Sequence, residues 1–167
     1  MSGLGLTFLR RGNLAHPTAG SDYVKFVDAE VFRVLMANGV SSDGVNITRD
    51  DMARVTSIAQ WFRNNATITD FPELALTNVT TLDSYAFQNC TALSTIDLNG
   101  INKTGIYAFQ NCTSLQLPDI SNIVTYGAWT FSGCTALTGD IVLTNVVGAM
   151  ADRVFHKTGI LSFEAPY

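Results

Sequence analysis

Residues 85–93 read YAFQNCTAL, residues 107–115 read YAFQNCTSL, and residues 129–137 read WTFSGCTAL. From 85 to 107 and from 107 to 129 the step is 22 residues, so each residue type recurs at one place in successive units. A fixed period of this length is typical of repeat proteins, in which each unit packs only on its neighbours. The sequence therefore predicts a solenoid whose interior holds columns of like side chains: Phe87, Phe109 and Phe131; Cys90, Cys112 and Cys134; Leu93, Leu115 and Leu137.

Two weaker copies flank the three regular ones. The segments WFRNNATI and VFHKTGI keep the aromatic position as Phe62 and Phe155. Both change the cysteine position, to Asn65 and to Thr158. Because a terminal coil has one side without a neighbour, modified end repeats are expected in a solenoid. The sequence thus predicts five coils, three regular and two modified.

Short strands are predicted within each unit. Residues 79–82 and 93–98 are rich in β-branched and apolar side chains, which is typical of strands. Stacked units would align such strands in parallel at a spacing of about 4.8 Å. Turn signals lie nearby, for example at Asn99-Gly100 and at Gly139-Asp140. The predicted fold is therefore a small parallel β solenoid.

The pattern AFxxCxxL followed by an apolar strand resembles the BspA-type leucine-rich repeats. These occur in surface and secreted proteins of gut and oral anaerobes and in some of their phages. The resemblance covers about residues 55–163. It implies a right-handed leucine-rich-repeat solenoid with an adhesive or scaffold role. Residues 22–55 also resemble the leader that precedes such repeats, with its acidic loop degraded here.

Residues 22–54 predict two helices that close one end of the solenoid. Asp28 is placed to cap the first helix and Gly39 to end it. A second helix is expected after Thr48, with Asp51 completing a capping box. The apolar residues that share one face of the first helix are Val31, Phe32, Leu35 and Met36.

Residues 1–21 differ in composition from the rest of the chain, with several glycines, an apolar set and two arginines. One interpretation is a flexible terminus, which most domains have. The other, which we favour, is a docking arm that adds as a strand to a partner's sheet edge while the arginines pair with carboxylates. The arm residues are Leu4, Leu6, Phe8, Leu9, Arg10 and Arg11. The predicted organisation is an extended arm (1–21), a helical cap (22–54) and a solenoid (55–167).

Composition and charge argue against several classes of protein. With 47% apolar and 14% charged residues, the chain is too hydrophobic to be disordered. A formal net charge of −4 argues against a nucleic-acid partner, which clustered Lys and Arg would bind. No apolar run approaches the roughly 20 residues of a membrane-spanning helix, so we expect no membrane insertion. The first residues lack the basic region of a secretory signal, which favours synthesis in the cytoplasm.

We expect neither a metal nor another cofactor. The three cysteines lie one repeat apart with no CxxC pair, so we interpret them as small buried residues and expect no disulfide between stacked units. Residues 40–51 resemble a calcium loop, but in either register too few carboxylates fall at ligand positions. His16 and His156 have no evident catalytic partner. We therefore expect no enzymatic activity and no catalytic residue.

These features favour a non-enzymatic structural or binding protein. The first hypothesis is a phage virion accessory subunit, of the head or the tail, docked through its arm onto other virion subunits or onto a second copy. The alternative is a bacterial cell-surface or secreted adhesin that binds a surface ligand, and an intracellular scaffold is a third. The chain would then be located in the virion or at the cell surface. Tyr126 and Trp129 are candidate surface-binding residues, with packing in the third coil as the competing interpretation.

Overall fold

The structure, a computed structural model, describes residues 22–143, 145–147 and 149–164. Two short helices precede a series of short strands. The predicted arm lies outside the described residues. In chain order the elements are α1 (Ala29–Ala37), α2 (Arg49–Ala53), β1 (Asp70–Phe71), a 3-10 helix (Pro72–Leu76), β2 (Thr81–Leu82), β3 (Thr95–Ile96), β4 (Lys103–Thr104), β5 (Thr138–Val142) and β6 (Gly159–Glu164).

The predicted first helix is confirmed as α1. The Asp28 carboxylate accepts the Glu30 N–H at 2.7 Å and so satisfies a donor that has no partner within the helix. At the other end Gly39 follows the C-cap residue with φ of 73°, a conformation that glycine adopts without steric cost. The buried face differs slightly from the predicted one, since Phe32 and Met36 are only partly buried. The buried residues of α1 are Val31, Val34 and Leu35.

The predicted capping box at the start of α2 is also present. The Asp51 N–H donates to the Thr48 hydroxyl at 3.0 Å, and the Asp51 carboxylate accepts the Thr48 N–H at 2.8 Å. The Arg54 guanidinium pairs with the same carboxylate. Burial acts to raise the pKa of the Asp51 carboxyl, but the hydrogen bonds from Thr48 outweigh it and hold the pKa below its usual value. Asp51 is therefore a structural carboxylate.

The strands pair in parallel with strands of another repeat unit, as the sequence predicts. β1 pairs with β3, β2 with β4, and β5 with β6. Most are shorter than expected, because only Thr95–Ile96 of the predicted strand 93–98 forms a ladder. Gly139 and Asp140, predicted as a turn, lie inside β5, where the register shifts. Aligned pairs include Asp70 with Thr95, Thr81 with Lys103, and Thr138 with Gly159.

Backbone hydrogen bonds in the turns make many of the remaining contacts between units. In the segment around the core phenylalanine of each regular unit, backbone N–H groups donate to carbonyl oxygens of the following unit. This arrangement gives hydrogen-bond partners to the backbone groups of a bent segment that cannot form a long strand. Three such bonds of 2.8 Å run from Phe87 to Ala108, from Phe109 to Thr130, and from Phe131 to Val154.

The core of the stack is a column of phenylalanine rings. Successive ring centroids lie 5.1 to 5.4 Å apart, and the interplanar angles are 17° at the first pair and 7° or less at the others. Stacked rings bury large apolar surfaces and add a favourable aromatic contact at each step. The leucine column at Leu93, Leu115 and Leu137 is fully buried beside it. The rings belong to Phe62, Phe87, Phe109, Phe131 and Phe155.

Two glycines permit the close approach of successive backbones. A Cβ atom built on Gly105 would lie closer than 3.0 Å to the backbone of Asp83 and Ser84. One built on Gly127 would overlap the backbone of Gly105 in the same way. Neither glycine has a positive φ. Glycine is therefore required at these positions because a side chain has no space, and not because of the backbone conformation.

Candidate functional site

The segment around each core phenylalanine turns sharply and forms one outer surface of the stack. We define this turn face as residues 60–64, 85–89, 107–111, 129–133 and 153–157. In its regular units the residues two before and two after phenylalanine have left-handed backbones, for example Tyr85 (φ 67°) and Asn89 (φ 61°). Such conformations cost on the order of 1–3 kcal/mol for a non-glycine residue and persist only where surrounding contacts impose them. The inter-unit hydrogen bonds of the turns supply those contacts.

An aromatic column runs along the turn face. The rings of Tyr85 and Tyr107 stack at 5.4 Å, and Trp129 follows at 6.1 Å. The Arg63 guanidinium lies over the Tyr85 ring at 4.6 Å, and that of Arg153 lies over Trp129 at 4.7 Å. All three aromatic side chains are half-buried. The column is therefore bordered by a cation at each end.

Amide side chains form two columns of hydrogen bonds beside the rings. Gln88 Nε2 donates to Gln110 Oε1 at 2.7 Å, and Arg63 Nε donates to Gln88 Oε1 at 2.9 Å. In the second column Asn89 donates to Asn64 at 2.7 Å, and Asn111 donates to Asn89 at 2.9 Å. These bonds fix the outer side chains of successive units relative to one another. They also hold Arg63 in place over the aromatic column.

The asparagine column ends at Gly133. A Cβ atom at that position would collide with Asn111 Oδ1. Gly133 has φ of 78°, so it keeps the left-handed backbone of the column without a side chain. The next position is occupied by Lys157 (φ 57°), which is exposed.

Charge is segregated between the turn face and one set of strand segments. No residue of the turn face is acidic, whereas its cations are Arg63, Arg153 and Lys157. The strand segments 69–73, 94–98, 116–120, 138–142 and 160–164, which we call the strand side, contain no lysine or arginine. Their exposed or half-buried acids include Asp70, Asp97, Asp119 and Asp140.

Acids of the strand side are hydrogen-bonded within the chain. The Thr95 hydroxyl donates to the Asp70 carboxylate and holds the pKa of that carboxyl below its usual value. The Ser121 N–H does the same for Asp119 at 2.9 Å. Asp140 accepts the Ser162 hydroxyl at 2.6 Å. The lowered pKa values keep the Asp70 and Asp119 carboxylates ionised at neutral pH. All three carboxylates contribute to the local structure.

The cysteine column links the turns inside the core. Cys90, Cys112 and Cys134 are fully buried free thiols. Each Sγ donates to the carbonyl oxygen of the core phenylalanine of the preceding unit, at 2.9 to 3.0 Å. Burial raises the pKa of the Cys112 thiol well above its usual value. The Cys112 thiol is therefore protonated at neutral pH. All three cysteines are buried packing residues.

The stacked geometry and the repeat pattern agree with a comparison to known families. The family described as the BspA type leucine rich repeat region matches residues 57–167, in six copies. The chain belongs to this BspA-type leucine-rich-repeat family. Its model counts one copy more than the five units that the sequence predicts. No curated protein and no solved structure matches the chain.

Membership of the BspA-type family assigns a repeat solenoid and a role in protein interaction or adhesion. Leucine-rich repeats of this kind are generally non-enzymatic protein-binding domains. Within the described part of the chain, no helix is long and apolar enough to cross a bilayer. In the same residues, no group of three or more His, Cys, Asp or Glu side chains could hold a metal ion.

Tyr126, a predicted candidate for surface binding in this BspA-type repeat, is buried in the structure. Tyr126 is only 4% exposed and packs against the rings of Phe131 and Phe155 at 6.5 and 6.0 Å. Its hydroxyl donates to the Ile120 carbonyl at 3.4 Å, and burial raises the pKa of Tyr126 to about 12. Tyr126 is thus a core residue, because the repeat directs its side chain inward. Trp129 lies on the turn face, as described above.

Sequence reasoning missed the other members of the turn face. Tyr85 and Tyr107 occupy the position of Trp129 in their own repeats. The shared period could therefore have placed all three residues in one column. Arg63 and Arg153 belong to the modified units and carried no such signal. The predicted arm residues, from Leu4 to Arg11, lie outside the described residues.

The first helix, α1, contacts the first repeat through its N-cap residue and one acidic side chain in its first turn. Asp28 Oδ2 accepts the Thr69 N–H at 2.6 Å and its hydroxyl at 2.9 Å. Glu30 accepts Asn65 Nδ2 at 2.7 Å. Asn65 occupies the cysteine position of its unit, so its departure from the repeat coincides with a contact to α1. A cleft of about 260 Å³ lies nearby, and its lining residues include Asn38, Arg54 and Trp61.

The loop that resembles a calcium site is held by its own polar groups. The Asp43 carboxylate accepts the N–H groups of Val45 and Asn46 and the Ser41 hydroxyl, at 2.7 to 2.9 Å. The hydrogen bonds from Asn46 and Val45 lower the pKa of Asp43 to about 2. The loop therefore closes on one carboxylate that is already surrounded by donors.

Proposed function

We propose that the chain binds a partner protein through its turn face. The observation that carries this proposal is the aromatic column of Tyr85, Tyr107 and Trp129, bordered by Arg63 and Arg153. Tyrosine, tryptophan and arginine are the residue types that contribute most binding energy in protein interfaces. Here the three aromatic side chains are half-buried and aligned, and the two arginines that border them are exposed. No catalytic role is proposed for any of them.

The turn face is ordered before it meets a partner. The rings restrain one another by stacking, and Arg63 is held both by Gln88 and by Gln60, the latter at 3.1 Å. Ordering a long side chain during association costs roughly 0.5–1.5 kcal/mol. Because these side chains are already restrained, less of that cost remains to be met on binding.

A photocrosslinking experiment tests the proposal. Tyr107 is replaced by photoreactive benzoylphenylalanine, which keeps an aromatic ring in the column. The matched control places the same group at Asp97 on the strand side, where the residue is also on the surface. In cells that contain the native partner, we expect protein adducts from position 107 and few from position 97. Equal yields at both positions, or adducts from position 97 alone, would contradict the turn face as the binding surface.

A second proposal concerns the end of the solenoid at which the helices lie. We propose that α1 and α2 close a right-handed stack of five coils at this end. The support for α1 is the pair of contacts from Asp28 to Thr69 and from Glu30 to Asn65. For α2 it is the bond of 2.6 Å that Asn78 Nδ2 donates to the Ala53 carbonyl oxygen. The number of coils rests on the repeat pattern and the handedness on the family resemblance. Asp28→Ala should lower the free energy of unfolding by about 1–2 kcal/mol, because both a helix cap and a contact to the first repeat are lost. If Asp28→Ala removes helical circular dichroism but leaves the unfolding of the repeats unchanged, the helices do not close the solenoid.

The biological setting is also a proposal. The alternating apolar pattern of residues 4–9 and the occurrence of related repeats in phages support a virion accessory subunit docked through residues 1–21. The alternative setting is the bacterial cell surface. Mass spectrometry of purified virions tests this directly, since a virion subunit must be found in the particles. If the chain is present in particles even after residues 1–21 are deleted, docking through the arm is wrong.

A further inference from the structure

The aromatic column presents ring edges to the solvent. An aromatic ring is electrostatically negative on its faces and positive at its edge. In the column, Tyr85 and Tyr107 cover each other's faces, and Trp129 and the two guanidinium groups cover the remaining ones. A ligand that stacks on ring faces, as sugars and bases do, therefore finds little free face. A ligand that approaches from outside meets ring edges and hydroxyl groups.

The charged residues within the turn face are all cations. Arg63 and Arg153 border the column, and Lys157 is exposed beside it, while no acidic residue occurs in the turn face. The nearest acid in sequence is Asp152, which pairs with Arg153 at 3.5 Å. The chain as a whole is anionic, with a formal net charge of −4. The turn face thus carries three cations, of which Arg153 is already paired with Asp152, on an anionic protein.

We propose that the occupant of the turn face is an extended, acidic segment of a partner protein. This inference rests on the proposed function and specifies its chemistry. Four ring spacings of 5.1 to 5.4 Å separate the first and last units of the phenylalanine column. At about 3.3 Å per residue, an extended segment of about six residues spans that length. Its carboxylates would lie along the ring edges and pair with Arg63 at one end. At the other end a carboxylate would pair with Arg153 in competition with the exposed Asp152.

A second copy of the chain is a poorer occupant than a foreign segment. The strand side is acidic, but Asp70, Asp119 and Asp140 already accept hydrogen bonds from their own chain. Those carboxylates would have to give up bonds in order to pair with Arg63 or Arg153 of another molecule. A segment that is extended and free in solution has no such bonds to lose.

Fluorescence anisotropy with a labelled hexaglutamate peptide tests the chemistry, with hexaglutamine as the uncharged control. We expect hexaglutamate to bind the full chain at low salt and hexaglutamine to bind much more weakly. Arg63→Gln combined with Arg153→Gln should weaken hexaglutamate binding about tenfold, as expected for the loss of two exposed charge contacts. The matched control, Arg33→Gln with Lys103→Gln, changes the net charge equally at two exposed sites off the turn face and should leave binding unchanged. Binding should also weaken as salt is raised.

Several results would overturn the inference. Equal binding of hexaglutamine, or equal weakening by the control pair, would show that the turn face does not select carboxylates. Displacement of the native partner by a sulfated polysaccharide and not by hexaglutamate would assign the turn face to a glycan. Sedimentation that shows self-association, lost in the Arg63→Gln, Arg153→Gln protein, would make a second copy the occupant. If position 107 crosslinks to a partner that hexaglutamate cannot displace, the turn face binds a partner but the proposed acidic segment is wrong. If position 107 crosslinks to no protein, the proposed binding function of the turn face is wrong.

Discussion

The thiol of Cys112 donates a hydrogen bond to the backbone carbonyl of Phe87, one repeat unit earlier, over 3.0 Å. The same oxygen accepts the Cys90 N–H at 3.1 Å within its own unit. A carbonyl oxygen has two lone pairs, so one buried oxygen connects its own turn to the next unit. At the modified end the Thr158 hydroxyl donates instead to Phe155 of its own unit, at 2.9 Å. The cysteine is therefore the residue that carries this bond between units.

Replacing this thiol should destabilise the stack. Cys112→Ala removes the donor and leaves a small void, and we expect the free energy of unfolding to fall by about 1–2 kcal/mol. Urea unfolding followed by circular dichroism measures the change. Cys112→Ser keeps a donor at a similar position and should recover part of the loss in spite of its polarity. An alanine variant as stable as the natural protein would contradict the role of the thiol.

The central ring of the phenylalanine column should matter more than the last one. Phe109 is fully buried between two rings at 5.3 and 5.1 Å, whereas Phe155 is only partly buried. Phe109→Ala is expected to cost about 3–5 kcal/mol, because it opens a cavity on both sides. Phe155→Ala should cost clearly less in the same urea titration. Equal losses at the two positions would mean that the column does not act as a stack.

A single methyl group at Gly127 should be poorly tolerated. Its Cβ would overlap the backbone of Gly105, which cannot move without breaking the hydrogen bonds between units. We expect Gly127→Ala to lower the free energy of unfolding by more than about 2 kcal/mol. Gly44→Ala is the control, since nothing lies within 4 Å of its Cβ and only its φ of 74° opposes the change. That control should cost about 1 kcal/mol. A smaller loss at Gly127 than at Gly44 would refute the steric argument.

Alkaline pH should reveal the buried phenol of Tyr126. Burial raises its pKa to about 12, above the usual value of about 10. The stabilisation that comes from keeping this phenol neutral is complete below pH 10 and is lost as the pH rises from 10 to 12, because only the unfolded chain ionises in that range. The difference in tyrosinate absorbance between the natural protein and Tyr126→Phe should therefore have its midpoint near pH 12. A midpoint near 10 would show that Tyr126 is accessible to solvent.

Much of the architecture could be predicted from the residues, and particular elements show why. Repetition of phenylalanine, cysteine and leucine at one period predicts stacked units, because like residues on successive coils must meet. The caps of α1 and α2 followed from Asp28 and from the Thr48–Asp51 pair, since capping depends on residues close in sequence. Strand lengths did not follow, because the turns around Phe87 and Phe109 form inter-unit bonds that leave only two residues in β3 and β4.

The candidate site depended more on three-dimensional arrangement. Period alone puts Tyr85, Tyr107 and Trp129 in one column, but it does not say whether that column faces the core or the solvent. Tyr126 illustrates the difficulty, since an aromatic residue three positions before Trp129 points inward. Asn89 and Gly133 are residue types that adopt left-handed backbones readily. Tyr85, Tyr107 and Trp129 adopt the same conformation only where hydrogen bonds between units impose it.

For this chain, residue identity and period were enough to establish a repeat solenoid of the BspA type with buried columns, because those features depend on hydrophobic burial and on one recurring distance. The cationic, aromatic turn face was decided by tertiary structure. Arg63 and Arg153 come from the two irregular units and reach the ends of the aromatic column only when the units stack. Such a surface is assembled from residues far apart in sequence, and its charge and exposed edges exist only once the coils are superposed.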